Sequence, residues 1–266
     1  MSHKGILTDV TRCIGCASCV TACREANDTG SPVPTPWQPD VNELSATRWT
    51  TLDRLPGGRF VRRQCRHCLE PACASACPVG ALQKAPDGAV IYDSARCMGC
   101  RYCMMACPFA IPRYSWDTAV PYVRKCVLCH DRIARGEATE PACTEACPVE
   151  ATIFGDREAL LAEAKRRIAE KPDLYVDRVW GEHEAGGTGI LNISDVDIPL
   201  PATVPTDPLP ERTMKVLRTV PAVFVGVGAA MVSLRWLIGR RDRLRAEAAS
   251  GDGHTEAPAT DEKENH

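Results

Sequence analysis

At 266 residues and a formal net charge of −2, the chain has room for one or two domains, and no basic stripe interleaved with aromatics marks it for nucleic acid. Its 44% hydrophobic share is ordinary, but four Phe, five Trp and five Tyr leave little aromatic packing for a core. The unusual count is cysteine: sixteen, in four groups of four rather than scattered as in a small disulfide scaffold.

In chain order, the opening MSHKGILTDVTRC has neither an apolar export core nor a twin-arginine signal, so the chain is not expected to direct its own export. Cys13, Cys16, Cys19 and Cys23 follow with the spacing C-x2-C-x2-C-x3-C. This run binds a 4Fe-4S cubane: three thiolates on one tight loop reach three corners, and the fourth points to a neighbouring cluster. Residues 24–64 include SPVPTPWQP, whose prolines exclude a regular helix or a central strand, and they predict an ordered surface connection. Cys65, Cys68, Cys73 and Cys77 form a variant group with a longer middle gap. After it, the Asp87-Gly88 turn signal stands before Val90, Ile91 and Tyr92, the predicted second strand of a short hairpin. Cys97, Cys100, Cys103 and Cys107 repeat the first spacing, and Cys126, Cys129, Cys143 and Cys147 complete the series around a still longer gap. Proline follows the last cysteine in three groups, at Pro78, Pro108 and Pro148, whereas the first group has Arg24 there.

Beyond the cysteines, DREALLAEAKRRIAE places Leu160, Leu161, Ala164 and Ile168 at helical spacing and stops before Pro172, which predicts a helix packed on the cluster core. The stretch GEHEAGGTGILNISDVDIPLP is glycine-rich and then proline-rich, and predicts an extended arm. Residues 219–234 carry no charge, and with Trp236 and Ile238 the apolar run approaches the about 20 residues that span a bilayer. A buried amphipathic helix would show a polar face; this run is apolar all round, and its Gly and Ala suit packing on another membrane helix. Arg235, Arg240, Arg241, Arg243 and Arg245 follow it and only Arg212, Lys215 and Arg218 precede it, favouring a cytoplasmic C-terminus. Residues 246–266 are polar, acidic and expected to be disordered. Together these elements predict an α+β fold: a four-cluster domain at 1–155, a helix and extended arm at 156–215, a transmembrane helix at 216–239 and a polar tail at 240–266.

Internal repeats sharpen the cysteine reading. RCIGCASCVTAC matches RCMGCRYCMMAC, and PACASACPVGA matches PACTEACPVEA, so the groups alternate between two types, as duplication of a ferredoxin-sized unit would leave them. The hairpin linker makes groups two and three look like the inside of a bacterial two-cluster ferredoxin, and groups one and four then form an outer unit around it. Exchanging the fourth cysteine within each nested pair predicts four sites. Site I is Cys13, Cys16, Cys19 and Cys147; site II is Cys126, Cys129, Cys143 and Cys23. Site III is Cys65, Cys68, Cys73 and Cys107; site IV is Cys97, Cys100, Cys103 and Cys77. Structural zinc would space paired C-x2-C motifs differently and leave cysteines over, and no thiol remains free to act as a nucleophile. His67 and His130 adjoin ligand cysteines but are expected outside the ligand sets, since each site already has four thiolates. Arg124 and Lys125 precede Cys126, where a cation would favour a reduced cluster; a solvated charge pair is the alternative.

The four groups, with NELSATRWTTL, YVRKCVLCHDRIARGEATEPACTEACPVEATIFG, GEHEAGGTGIL and the late membrane run, resemble the iron-sulfur beta subunit of membrane-bound respiratory formate dehydrogenase. The similar subunit of membrane-bound NiFe hydrogenase is close behind. The resemblance covers nearly the whole chain and implies four 4Fe-4S clusters on the sixteen cysteines, in two nested ferredoxin-like modules with loop-rich connections. It further implies a cluster domain on the periplasmic side of the inner membrane, exported with a partner that carries the signal, and one anchor helix. The chain would be an electron relay and not itself the enzyme. Electrons would pass from a molybdopterin-type (molybdenum or tungsten) formate dehydrogenase catalytic subunit to an integral membrane, quinone-reactive subunit of the cytochrome b type. The missing export signal fits the formate dehydrogenase type better than the hydrogenase type, and a free soluble polyferredoxin is the reading from another class.

Overall fold

Small and β-branched residues at the N-terminus form β1 (Lys4–Asp9), a strand covered on both faces from Gly5 onward. The computed structural model describes residues 3–30, 43–116 and 122–251. After β1 come α1 (Ser18–Ala26), the hairpin of β2 (Thr51–Arg54) and β3 (Phe60–Arg63), α2 (Ala72–Ser75), and the hairpin of β4 (Leu82–Lys84) and β5 (Val90–Tyr92). Then follow α3 (Tyr102–Ala106), the short pair β6 (Arg113–Tyr114) and β7 (Val123–Arg124), α4 (His130–Ala134), α5 (Ala142–Glu145), β8 (Thr152–Asp156), α6 (Arg157–Glu170), β9 (Ile190–Ile193) and α7 (Leu209–Gly251). The architecture is α+β, as the sequence predicts. Residues 1–212 make one unit and residues 213–266 another.

The first unit is organised by a three-stranded sheet in the order β8-β1-β9. β1 runs antiparallel to β8, with Ile6 opposite Phe154, and parallel to β9, with Leu7 opposite Leu191. Asp156 caps α6 by accepting from the Glu158 N–H, and the helix lays Leu160, Ala164 and Ile168 against Leu7, Leu191 and Ile193. The predicted helix and its buried face are therefore present, and so is the hairpin around Asp87-Gly88, where Leu82 pairs with Tyr92.

Three sequence expectations are corrected. The glycine-rich stretch is not an extended arm: Ile190, Leu191, Asn192 and Ile193 are all at most 1% exposed and supply the third strand of the central sheet. Its glycines serve close approach, since a Cβ on Gly181 would lie 2.3 Å from the Ile190 carbonyl oxygen. The expected boundary at residue 155 falls inside β8, and residues 156–212 belong to the same unit as the cysteines. The connection before group two lies only partly on the surface where it is described: Pro56, Gly57 and Gly58 are exposed, but Thr50, Thr51, Val61, Arg62 and Gln64 are buried in or beside the β2–β3 hairpin. SPVPTPWQP itself lies outside the described residues.

In the second unit, α7 is 43 residues long. Its apolar window has a mean hydropathy of 1.8 and no buried residue, which by length and composition suits a membrane span. At about 1.5 Å per residue such a helix is about 65 Å long, roughly twice the thickness of a hydrocarbon core. Residues 240–251, expected in a polar tail, continue the helix because Arg, Leu, Ala and Glu are strong helix formers. Residues 252–266 are outside the described part.

Candidate functional site

Each cysteine group opens on a C-x2-C loop whose residue before the second cysteine is left-handed: Gly15 (φ 70), His67 (φ 47), Gly99 (φ 76) and Leu128 (φ 59). The turn directs backbone N–H groups at the first sulfur. The Leu128 N–H donates to Cys126 Sγ at 3.4 Å, and that of Gly15 serves Cys13. Gly15 is held twice over, by its φ and because a Cβ there would sit 2.6 Å from the Phe60 ring on β3. Gly15→Ala is expected to displace the loop carrying Cys13 and Cys16 and to reduce bound iron by about four atoms, one cubane. Iron analysis beside far-ultraviolet circular dichroism checks it; full iron with unchanged dichroism would refute it.

The groups close on a cysteine that receives an N–H from four residues on. Ala81 donates to Cys77 Sγ at 3.2 Å and Ala151 to Cys147 Sγ at 3.3 Å, and Ile111 serves Cys107. Pro78, Pro108 and Pro148 prevent the helix from continuing there, which frees that N–H to turn back. Group one lacks the proline, α1 runs on to Ala26, and the Asn27 side chain takes the donor's place. Its Nδ2 lies 3.7 Å from Cys23 Sγ and 2.7 Å from the Cys23 carbonyl oxygen. The Arg24 departure is thus compensated within one helical turn.

These loops gather the thiols into four neighbourhoods. Burial raises the Cys13 and Cys19 thiols, and each is raised further by Cys16 and Cys147 beside it. Burial pushes Cys23 well up, with Cys126, Cys143 and Cys129 adding to the rise. Cys68 is raised by burial and then by Cys65, Cys107 and Cys73, and burial likewise pushes Cys73 up to about 12. Cys103 is pushed up to about 11 by burial and by Cys100, Cys97 and Cys77. Each neighbourhood brings together the cysteines expected for one of sites I to IV, and Cys126 and Cys143 are also raised by Cys65 and Cys19 of the adjoining sites. The sites adjoin in a row: Cys143 faces Cys19 between II and I, Cys126 faces Cys65 between II and III, and Cys73 faces Cys103 between III and IV. Both ends of the row approach solvent. Cys16 is exposed at site I, and Met98, Tyr102 and Met105 are exposed beside site IV.

The surroundings suit a polynuclear sulfur cluster. Site I lines a cavity with Thr8, Arg62 and Thr152. Thr8 Oγ1, Thr152 Oγ1, and Arg62 Nε and Nη2 are buried without partners. Such orphaned groups cost about 1–3 kcal/mol each, and a group rich in sulfur acceptors would satisfy the donors among them. Among the described residues no three His, Cys, Asp or Glu side chains converge closely enough for one metal ion.

His67 is fully buried and its Nδ1 accepts the Val90 N–H at 2.9 Å. Burial, then Lys125 and Lys84, hold its pKa well below the usual value, so it is the neutral tautomer with a proton on Nε2. His130 Nδ1 meets Asp87 Oδ2 at 2.7 Å. Lys125 is buried rather than solvated, with Nζ donating to the Val90 and Cys126 carbonyl oxygens. Two cations beside the sites escape sequence reasoning: buried Arg62, and half-buried Lys84, whose Nζ donates to the Cys68 carbonyl oxygen at 2.6 Å. Neither stands out in the sequence: Arg62 lies in FVRR beside a second arginine, and Lys84 ends LQK.

Two 4Fe-4S dicluster domain models match the chain, over residues 12–82 and 58–157. The chain is 42% identical over 261 residues to a protein of Nitratidesulfovibrio vulgaris, covering 91% of this chain and 69% of that one. It is 35% identical over 241 residues to the hydrogenase-2 operon protein HybA of Escherichia coli O157:H7, covering 72% and 70%. It is also 37% identical over 203 residues to the formate dehydrogenase-O iron-sulfur subunit of Escherichia coli K12, covering 70% and 65%.

Proposed function

Since the chain belongs to the 4Fe-4S dicluster electron-transfer proteins related to HybA and the formate dehydrogenase iron-sulfur subunits, we propose that it holds four clusters at sites I to IV. It relays electrons along that row from a catalytic subunit toward a quinone-reactive membrane subunit. What supports this reading is that the cysteines expected for each site lie close enough to raise one another's thiols, with Cys143, Cys126 and Cys73 reaching cysteines of the next site along. Each cluster, when bound, supplies one-electron redox chemistry. The chain's own groups set its energetics: N–H donors to Cys13, Cys77, Cys107, Cys126 and Cys147 spread the negative charge, and buried Lys125 and half-buried Lys84 lie beside site III. Both effects favour the reduced state.

The catalytic partner in this reading is a molybdopterin-type formate dehydrogenase subunit, supported by the likeness to the formate dehydrogenase-O iron-sulfur subunit. The likeness to HybA, spanning more of that relative, favours a hydrogenase as the second reading. α7 serves as a single anchor in the inner membrane beside a cytochrome b type subunit. The arginine excess after its apolar run sets a cytoplasmic C-terminus, with the cluster unit on the periplasmic side and exported with its partner. The test is metal analysis of the detergent-solubilised complex purified through a tag on this chain. Molybdenum or tungsten beside about sixteen irons is expected. Nickel would establish the hydrogenase reading, zinc without iron would overturn the clusters, and recovery without detergent would overturn the anchor.

A further inference from the structure

Arg62 is 3% exposed on β3, and its Nη1 donates to the Cys143 carbonyl oxygen at 3.4 Å, while Nε and Nη2 have no acceptor. It lines the cavity of site I together with Cys13, Cys16, Cys19 and Cys147. The charges acting on it most strongly come from both sides of one junction, Cys19 of site I and Cys143, Cys126 and Cys23 of site II. An unpaired guanidinium is costly to bury, so its counter-charge must be what the thiols carry.

We propose that Arg62 is a cation shared by sites I and II, donating Nε–H and Nη2–H to sulfur and raising the potentials of these two centres together. This rests on the cluster reading above. Reduction adds a negative charge to a centre that is already anionic, and a fixed positive charge in a poorly solvated junction lowers the energy of the reduced form more than that of the oxidised form. The effect is local, because sites III and IV have their own neighbours: Lys84 and Lys125 near site III, and Arg101 stacked on Tyr114 and Trp116 near site IV. Arg62 is a positioning and electrostatic residue, not a ligand.

The experiment is a redox titration of the intact complex, followed by electron paramagnetic resonance, for wild type, Arg62→Gln and Arg62→Lys. With iron content unchanged, Arg62→Gln is expected to lower the reduced-to-oxidised ratio of two centres at a fixed potential by about tenfold, about 59 mV for a one-electron couple. Arg62→Lys keeps the charge, loses the fork of donors, and is expected to lower the same two centres by a smaller step. Four intact centres titrating as in wild type, or all four shifting equally, would overturn the proposal. If Arg62→Gln fails to assemble, unchanged potentials in Arg62→Lys overturn it instead. A wild-type complex without four clusters would sink the cluster reading rather than the role of Arg62.

Discussion

Cys126→Ala is expected to remove the cluster of site II and to divide the electron path. Cys126 is buried, its sulfur accepts the Leu128 N–H, and it is the thiol of site II that faces Cys65 of site III. Without it the site keeps Cys23, Cys129 and Cys143, too few for a cubane held by four thiolates. Iron should fall by about a quarter, or by less if a three-iron remnant survives. The larger effect is on transfer. With site II gone, site I faces a gap, and centres on one side of it should fill during a first turnover while those on the other stay oxidised. Cys97→Ala, at the end of the row, should cost the same iron without dividing the path. Rapid-freeze electron paramagnetic resonance during reduction of the clusters by substrate distinguishes the two variants. A Cys126→Ala protein that kept all four clusters and filled them together would dismiss both the ligand assignment and the row.

The cysteine groups were legible because ligand spacing is a local property: the same loop and short helix recur at Cys13 and Cys97, and the Cys-Pro turn recurs at Cys77, Cys107 and Cys147. The Asp87-Gly88 hairpin and α6 were legible for the same reason, since each carries its own turn signal or periodicity. What could not be read depends on partners distant in the chain. Ile190–Ile193 has no alternation to mark it as a strand, and its place is set by parallel pairing with β1, nearly the whole first unit away. Arg62 reads as an ordinary strand-edge charge until Cys143 and Cys19 are brought to it. The extension of α7 past the apolar run carries no apolar periodicity to mark it, and rests instead on Arg, Ala and Glu being good helix formers.

Leu191→Asp is expected to prevent the first unit from folding, and with it the loading of all four sites. Leu191 is fully buried opposite Leu7 and packs with Leu160, Ala164 and Ile168. Even Leu191→Ala should cost about 2–5 kcal/mol. An unpaired carboxylate at that position adds a desolvation penalty of several kcal/mol, against a total stability of roughly 5–15 kcal/mol. The readouts are protease sensitivity and iron: loss at every site, where Cys126→Ala loses one. If Leu191→Asp still bound a full complement of iron, residues 181–201 would be the extended arm their composition suggests. The structure argues otherwise because the sheet is what assembles the sites. β1 leads directly into the loop of Cys13, and β8 leaves directly from the turn after Cys147, so their antiparallel pairing joins the two ends of site I. β9 holds site III in the same way. The Gly189 N–H reaches the Arg66 and His67 carbonyl oxygens at 3.0 and 3.1 Å, and Thr188 bridges to Cys68. A nested pairing of cysteine groups so far apart in sequence therefore needs this strand, and a single charge in it should act at all four sites.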